Sequence, residues 1–343
     1  MSNKQSLLEM LDQAENQRSA RRDFIRMCGG AAAMAGGLSV LAACSDDQSD
    51  DFEPIAQPTP TPSTGVTDVD ILNFALSLEY LEGNYYSYAV SGAGIAAGLQ
   101  AGTGTQGAVA TGSGAGAARQ VSFTDPVTQQ FAREIAADEI AHITFLRSAL
   151  GAAAAAQPAI NLSGSATVTI GGAATVGAFT AAARAAQVVG PNDIFDPFLN
   201  DENFLIGSYL LTDVGVTAYR GSARLITDKT FLEAAAGILA VEAYHDGVIR
   251  SSLYARGLAA PAIFTNVQRI SDARDGLDGA TDTDQGIGTA AEANLVPTNG
   301  DSLALGRTAA QVLNVVYNNR AAVTSGGFFP AGVNGTIRTS GAN

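Results

Sequence analysis

Four stretches of the chain repeat apolar residues at helical spacing, and polar groups interrupt the same face in each. After Asp68 or Asp70 as a cap, Leu72, Leu76, Glu79, Gly83, Tyr86 and Val90 form one stripe. The second stretch opens at Thr124-Asp125-Pro126, runs through Ala132, Ile135, Glu139, His142, Leu146 and Leu150, and stops at Gly151. The third covers residues 201–226, with Leu205, Tyr209, Thr212, Val216, Tyr219, Ala223 and Ile226 in line. The fourth begins near Asp228 and reads Phe231, Ala235, Ile238, Glu242, His245, Ile249 and Leu253 up to Gly257. Four helices that each need a buried partner predict an all-α bundle.

The polar members of these stripes hold the candidate chemistry. An ionisable group on an apolar helix face costs several kcal/mol when buried without a partner, so these groups must meet something. The chain has only two histidines, and each follows a glutamate by three residues, as Glu139 with His142 and Glu242 with His245. Residues three apart share a helix face. Glu-x-x-His on two helices of a bundle is the spacing by which inward carboxylates and imidazoles hold a pair of metal ions. With Glu79 on the first helix, the candidate ligands are Glu79, Glu139, His142, Glu242 and His245. Iron or manganese suits such a set, and zinc is compatible with it. The competing reading makes each histidine a core residue bonded to a neighbouring carboxylate. Repetition of the motif weights the choice toward metal.

Tyr86 lies seven residues after Glu79, and Tyr219 lies seven after Thr212, so both tyrosines are expected near the centre. They either bond the ligands, take part in one-electron chemistry, or fill the core. Nothing else in the chain suggests chemistry, for it has no phosphate-binding glycine loop, no nucleophile elbow and no Cys-x-x-Cys.

The N-terminus is set apart from the fold. Residues 1–43 read as an export signal: Ser19-Ala20-Arg21-Arg22-Asp23-Phe24 carries the twin arginines, and the glycine-broken apolar run from Met27 to Leu41 is short for a membrane span. Leu41-Ala42-Ala43-Cys44 resembles the lipobox of bacterial lipoproteins, which would make Cys44 the lipidated first residue of the mature chain. Residues 44–67, acidic and then rich in proline, read as a disordered tether to a membrane of the cell envelope, whether on its periplasmic or its outer side. The only other cysteine is Cys28, so the mature domain has no disulfide and must rely on packing, with or without metal.

Of 19 basic and 33 acidic residues, five basic and four acidic lie in the signal, leaving 14 against 29 in the mature chain. That balance excludes nucleic acid and anionic lipid headgroups as partners.

The chain also resembles a known family, on Ile71-Leu72-Asn73-Phe74-Ala75-Leu76-Ser77-Leu78-Glu79-Tyr80-Leu81-Glu82, on Glu139 to Leu150 and on Val214-Gly215-Val216-Thr217-Ala218-Tyr219. These segments are similar to the ferritin-like domain family that includes the desiccation-related proteins of plants and their bacterial relatives. The likeness continues through Asn266-Val267-Gln268-Arg269-Ile270-Ser271, Asp284-Gln285-Gly286 and Phe328-Phe329-Pro330, and so spans nearly all of residues 68–335. It implies a ferritin-like four-helix bundle over 68–257 with long A–B and B–C insertions, and an elaborated, loop-rich C-terminal extension over 258–343 that packs on it.

The resemblance implies one departure. Where relatives show a glutamate just before the Asp-Val-Gly-Val run of the third helix, this chain has Thr212 followed by Asp213. Asp213 falls about 100° around the helix from Thr212. It either reaches the centre from a flank or pairs with Arg220 or Thr217. Glu82, one turn after Glu79, either compensates as a further ligand or bonds a histidine or tyrosine behind the ligands.

Two functional classes follow. One is a metal-dependent oxidoreductase or metal-handling protein of stress protection, with oxygen or peroxide as small co-substrate. The other is a non-catalytic envelope or desiccation-protection protein with a vestigial site.

The remaining segments carry weaker expectations. Residues 91–119, rich in Gly, Ala and Thr, read as a flexible surface insertion. Residues 157–200 form the crossover between the second and third helices, with strand-like alternation at Ala166 to Ile170. One further helix is expected over 307–317, and Phe328-Phe329-Pro330 is placed over the bundle. The aspartates at 272, 275, 278, 282 and 284 lack calcium-loop spacing and read as a solvated loop.

Overall fold

The structure, a computed structural model, describes residues 65–343. The twin-arginine segment, Cys44 and the tether as far as residue 64 lie outside the described residues. Seven helices and four very short strands make up the described part, so the fold is an all-α bundle. None of the described helices is long and apolar enough to cross a membrane.

The bundle helices are α1 (Asp68–Ser91), α2 (Pro126–Leu150), α4 (Asp201–Ala223) and α5 (Lys229–Gly257), with the short α3 (Ala178–Ala185) in the crossover. Each start is fixed by its own cap. Thr67 and Asp70 form a capping box at α1, and the side chains of Asp125, Asn200 and Asp228 accept from the first turns of α2, α4 and α5. The third expected helix ends at Ala223, three residues before Ile226, where the backbone turns toward the Asp228 cap.

Asp201, in the first turn of α4, accepts from the backbone N of Thr124 and Asp125 and from the Thr124 hydroxyl, so α2 and α4 start at the same end. Asp68 accepts from Thr227 and Asp228, which puts the starts of α1 and α5 together. Arg256 at the end of α5 bonds Asp125 at 2.8 Å, closing the bundle. Two helices that start at one end require the long crossover between them.

Burial divides the bundle into two layers. Every residue of α1 from Ile71 to Ser87 and of α4 from Phe204 to Tyr219 is buried, whereas α2 and α5 keep exposed polar faces. A helix buried all round needs cover on its far side. That cover is the crossover together with the C-terminal extension, which contains α6 (Ala262–Asp278) and α7 (Ala309–Val316). Phe328 and Phe329 are fully buried, and the Phe328 ring meets the edge of Phe179 on α3 at 5.0 Å.

The glycine-rich insertion after α1 is an ordered layer rather than a flexible excursion. Its strand β1 (Val109–Ala110) pairs in parallel with β2 (Ile160–Asn161), and Thr103 exchanges backbone hydrogen bonds with Ala154 and Ala156. A Cβ at Gly107 would lie 2.1 Å from the Ala159 nitrogen, so glycine is what lets the two backbones approach. The alternation at 166–170 becomes the hairpin of β3 (Val168–Ile170) and β4 (Ala173–Thr175), turned by Gly171 and Gly172 with φ of 59° and 84°.

The aspartate-rich segment is solvated only in part: Asp272 and Asp282 are exposed, but the residues as far as Asp278 belong to α6 and two aspartates turn inward. Asp278 and Asp284 are buried and meet two buried arginines, Arg274 of α6 and Arg307 in the approach to α7, while Arg250 of α5 donates to the backbone of Gln285 and Gly286 beside them. Arg307 Nε donates to Asp278 at 2.6 Å and its Nη2 to Asp284 at 2.9 Å, while Arg274 Nη2 bonds Asp284 at 2.6 Å. Arg274 and Arg250 also lie over the Tyr209 ring, 4.6 and 5.5 Å from its centroid. The extension is thus fastened to α4 and α5 by charge and aromatic contact as well as by apolar packing.

Candidate metal centre

The stripes of α1, α2 and α5 bring Glu79, Glu139, His142 and Glu242 together in the core, with one ligand atom from each within 4.8 Å of all the others. All four are buried, as is His245 beside them. The Nδ1 of His142 stands 3.3 Å from Glu79 Oε2, 3.5 Å from Glu242 Oε1 and 3.8 Å from Glu139 Oε2. The Nδ1 of His245 stands 3.2 Å from Glu139 Oε1, so Glu139 lies between the two imidazoles. The ring centroids are 6.2 Å apart.

These close approaches are not hydrogen bonds. Glu79 Oε2, both oxygens of Glu139, Glu242 Oε2 and the Nδ1 atoms of His142 and His245 are buried without a hydrogen-bond partner. Polar atoms buried in that state are expensive unless a ligand satisfies them. Six such atoms come from three helices; Glu79, Glu139, His142 and Glu242 bring one ligand atom each to a common point, with His245 Nδ1 beside Glu139, and the donors are carboxylate and imidazole. The residues therefore fit a cation, and the donor chemistry suits iron or manganese.

Charge supports the same conclusion. Burial, the Glu79 charge and mutual repulsion push the Glu139 carboxyl up to about 8. Burial followed by the Glu139 charge does the same to Glu242, also to about 8. Burial alone would raise Glu79 as well, but the close approach and charge of His142 bring it below the ordinary range. His142, whose burial would disfavour its charge, is pushed far upward by Glu139, Glu242 and Glu79. The cation-free centre therefore holds protons where a divalent ion would sit, and binding must displace them.

The outer groups orient this set. The Nε2 of His245 faces Asp138 Oδ2 at 3.1 Å, a pairing that turns Nδ1 toward Glu139. The Tyr219 hydroxyl makes a short hydrogen bond to Glu79 Oε1. Tyr86 bonds not a ligand but Thr212, at 2.8 Å, and Thr212 contacts Glu82 Oε2 at 3.4 Å.

Glu82 itself sits at the centre's edge. A Cβ at Gly215 would meet Glu82 Oε1 at 2.9 Å and Glu242 Oε2 at 3.1 Å, so Gly215 opens the space that both carboxylates use. Burial, then the charges of Glu242, Glu139 and Glu79, raise Glu82 well above the usual carboxylate range.

Asp213 is placed elsewhere. It accepts from Arg250 at 3.0 and 3.1 Å and from Arg274 at 2.6 Å, in place of the expected Arg220 or Thr217. Arg307 bonds the Thr217 hydroxyl instead, at 3.0 Å. Sequence reasoning missed Arg250 and Asp138. Arg250, one residue past Ile249 on the fourth stripe, is a charge in a buried run and so was open to notice. Asp138 carries no such signal, because its partner comes from another helix.

The comparisons with known proteins agree with the fold. Residues 67–255 match the family described as Ferritin-like domain. The chain is 28% identical over 283 residues to "Ferritin-like catalase Nec2" of Nesocodon mauritianus, covering 79% of this chain and 84% of that protein. It is also 28% identical over 190 residues to "Desiccation-related protein PCC13-62" of Craterostigma plantagineum, covering 55% of this chain and 54% of the relative. No solved structure matches the chain.

Proposed function

The chain belongs to the ferritin-like domain family, and from that premise we propose that its buried centre binds iron or manganese and breaks down hydrogen peroxide to water and dioxygen. The observation that carries this reading is the set of six unsatisfied buried ligand atoms from Glu79, Glu139, His142, Glu242 and His245. The name of the relative that covers most of this chain, a ferritin-like catalase, supplies the reaction. A redox-active metal held by these residues would supply the electron exchange between two peroxide molecules.

The chain's own residues do the rest. Glu79, Glu139, His142, Glu242 and His245 hold the metal. Asp138 orients the His245 ring. Tyr219 fixes one oxygen of Glu79. Glu82, kept protonated by its neighbours and bonded through Thr212 to Tyr86, is a proton store beside the site. With the export signal and Cys44 read from the sequence, the protein would act at the envelope, tethered by lipid, in protection against oxidative stress.

A second reading is a non-catalytic protein of desiccation or surface protection. Thr212, standing where a fourth helix would supply a carboxylate, favours it, as does the name of the second relative. Dioxygen release from hydrogen peroxide by protein loaded with manganese or ferrous iron separates the two. Release well above that of the same metal free in buffer, lost in His142→Ala, supports the enzyme. A rate equal to free metal supports the protective protein.

A further inference from the structure

A cleft of about 370 Å³ lies between α2 and α5, and His245 and Asp138 form part of its lining. The other large opening, about 690 Å³, adjoins it and shares Phe131, Tyr244 and Val248. By contrast, the cavity that touches Glu82 on the opposite side of the bundle is closed to about 10 Å³. Of the candidate ligands, the α2–α5 cleft is lined by His245 alone. His245 lies at its inner side with 6% of its side chain exposed, while Asp138 is 41% exposed.

Its chemistry is mixed in a specific way. Phe131, Ile135, Tyr244 and Val248 make apolar walls, and Tyr244 and Val248 are exposed to solvent. The polar members besides His245 are Glu134 and Asp138, both acidic, in a chain with a formal net charge of −14. Anions are disfavoured in such a cleft. Hydrogen peroxide is scarcely larger than water, which takes up about 30 Å³, so it would leave most of the cleft unfilled. The volume is of the size that holds small organic ligands.

We propose that this cleft binds an uncharged alkyl hydroperoxide, its carbon part against Phe131, Tyr244 and Val248 and its peroxide end toward His245. The proposal rests on the peroxide-decomposing reading above and names a second substrate class for it. The O–O bond of the alkyl hydroperoxide breaks and takes two electrons and two protons from hydrogen peroxide. The products are the alcohol, one water and dioxygen, so atoms and electrons balance.

The chain has no tryptophan, so Tyr244→Trp in the full-length protein puts a sole indole at the cleft. The metal-free variant is titrated with tert-butyl hydroperoxide and separately with pivalate, which has the same carbon part and a negative charge. A saturable fluorescence change with the hydroperoxide, and none with pivalate, is expected. A response that is linear without saturation, or equal for both probes, overturns the proposal.

Val248→Phe, which fills the cleft at a half-exposed position, supplies a second readout on the metal-loaded protein. It should raise the KM for tert-butyl hydroperoxide roughly tenfold and leave metal content unchanged. An unchanged KM for the alkyl hydroperoxide counts against the cleft. If the metal-loaded wild type releases no dioxygen from hydrogen peroxide while the titration saturates, the peroxide reading falls and the binding site stands.

Discussion

Two buried polar clusters lie side by side in this bundle, and they are satisfied in opposite ways. The arginine–aspartate cluster meets charge with countercharge, with Arg250, Arg274 and Arg307 bonding Asp213, Asp278 and Asp284 at 2.6–3.1 Å. Asp246 joins it, its carboxyl pushed well up by burial and by the Asp213 charge. The isolated unbonded atoms in this cluster, such as Arg274 Nε and Asp278 Oδ1, belong to groups whose other atoms are paired. The glutamate–histidine cluster has no arginine and leaves six buried atoms without a hydrogen-bond partner. Charge matched by protein is a fastening, whereas charge left over at a point is a place for a cation.

Helix α5 supplies both clusters, and α4 passes between them. Thr212 of α4 faces Glu82 and Tyr86, while Asp213 faces the arginines. His245 of α5 faces Glu139, while Asp246 faces Arg250. One residue along a helix is about 100° of rotation, and on α5 that step divides the candidate ligand His245 from Asp246 beside the arginines.

The largest effect should come from breaking the paired cluster. Asp213→Ala leaves Arg250 and Arg274 buried without their shared carboxylate, at a cost of about 3–5 kcal/mol. A urea denaturation midpoint would read this, and the folded fraction should still bind metal. Loss of metal without loss of stability would show that the two clusters are not separate.

Metal should act on the other cluster alone. At free metal about a thousandfold above Kd, the loaded protein gains about 4 kcal/mol, and chelation removes it. Calorimetry before and after chelation checks this, and an unchanged Tm would place the stability of the centre in hydrogen bonds instead.

The pH dependence should differ in the same sense. In metal-free protein, Glu139 and Glu242 titrate near 8 when folded and near 4.5 when unfolded. Raised carboxyls contribute stability fully below pH 4.5, and it is lost as pH rises through about 8. Glu79, held low, has the opposite sign and loses its contribution only as pH falls below its ordinary range. Metal-free stability should therefore decline by a few kcal/mol between about pH 5 and 8.5, with metal affinity rising over the same window. Denaturation midpoints across that range would show it, and a flat profile would mean the carboxyls are not coupled.

The smallest effect belongs to Tyr219→Phe. Removing the hydroxyl from Glu79 should cost about 1 kcal/mol of stability and weaken metal roughly tenfold, measured by competition with a metal-binding dye. No change in metal affinity would make Tyr219 a core residue only.

Much of the centre was legible from sequence because it rests on local spacing. Two Glu-x-x-His pairs and the apolar stripes around them need only helical periodicity to place five groups inward. The fastening was not legible, since Asp213 meets Arg274 and Asp284 meets Arg307 only after the extension folds back. Without those partners, the aspartates at 278 and 284 look like any polar loop. The helix α6 did leave a readable stripe in Ile263, Val267, Ile270 and Arg274, all buried. Glycine-rich composition misled at 91–119, because small residues that suggest flexibility also permit two backbones to touch.

The most direct test is the metal content of the full-length chain. Wild type and the His142→Ala, His245→Ala double variant would be loaded anaerobically with ferrous iron or manganese, desalted and analysed for metal per chain. The wild type should retain at least one ion per chain, and the double variant should fall to background while keeping its helical circular dichroism. Equal metal in both proteins would contradict the assignment of the centre.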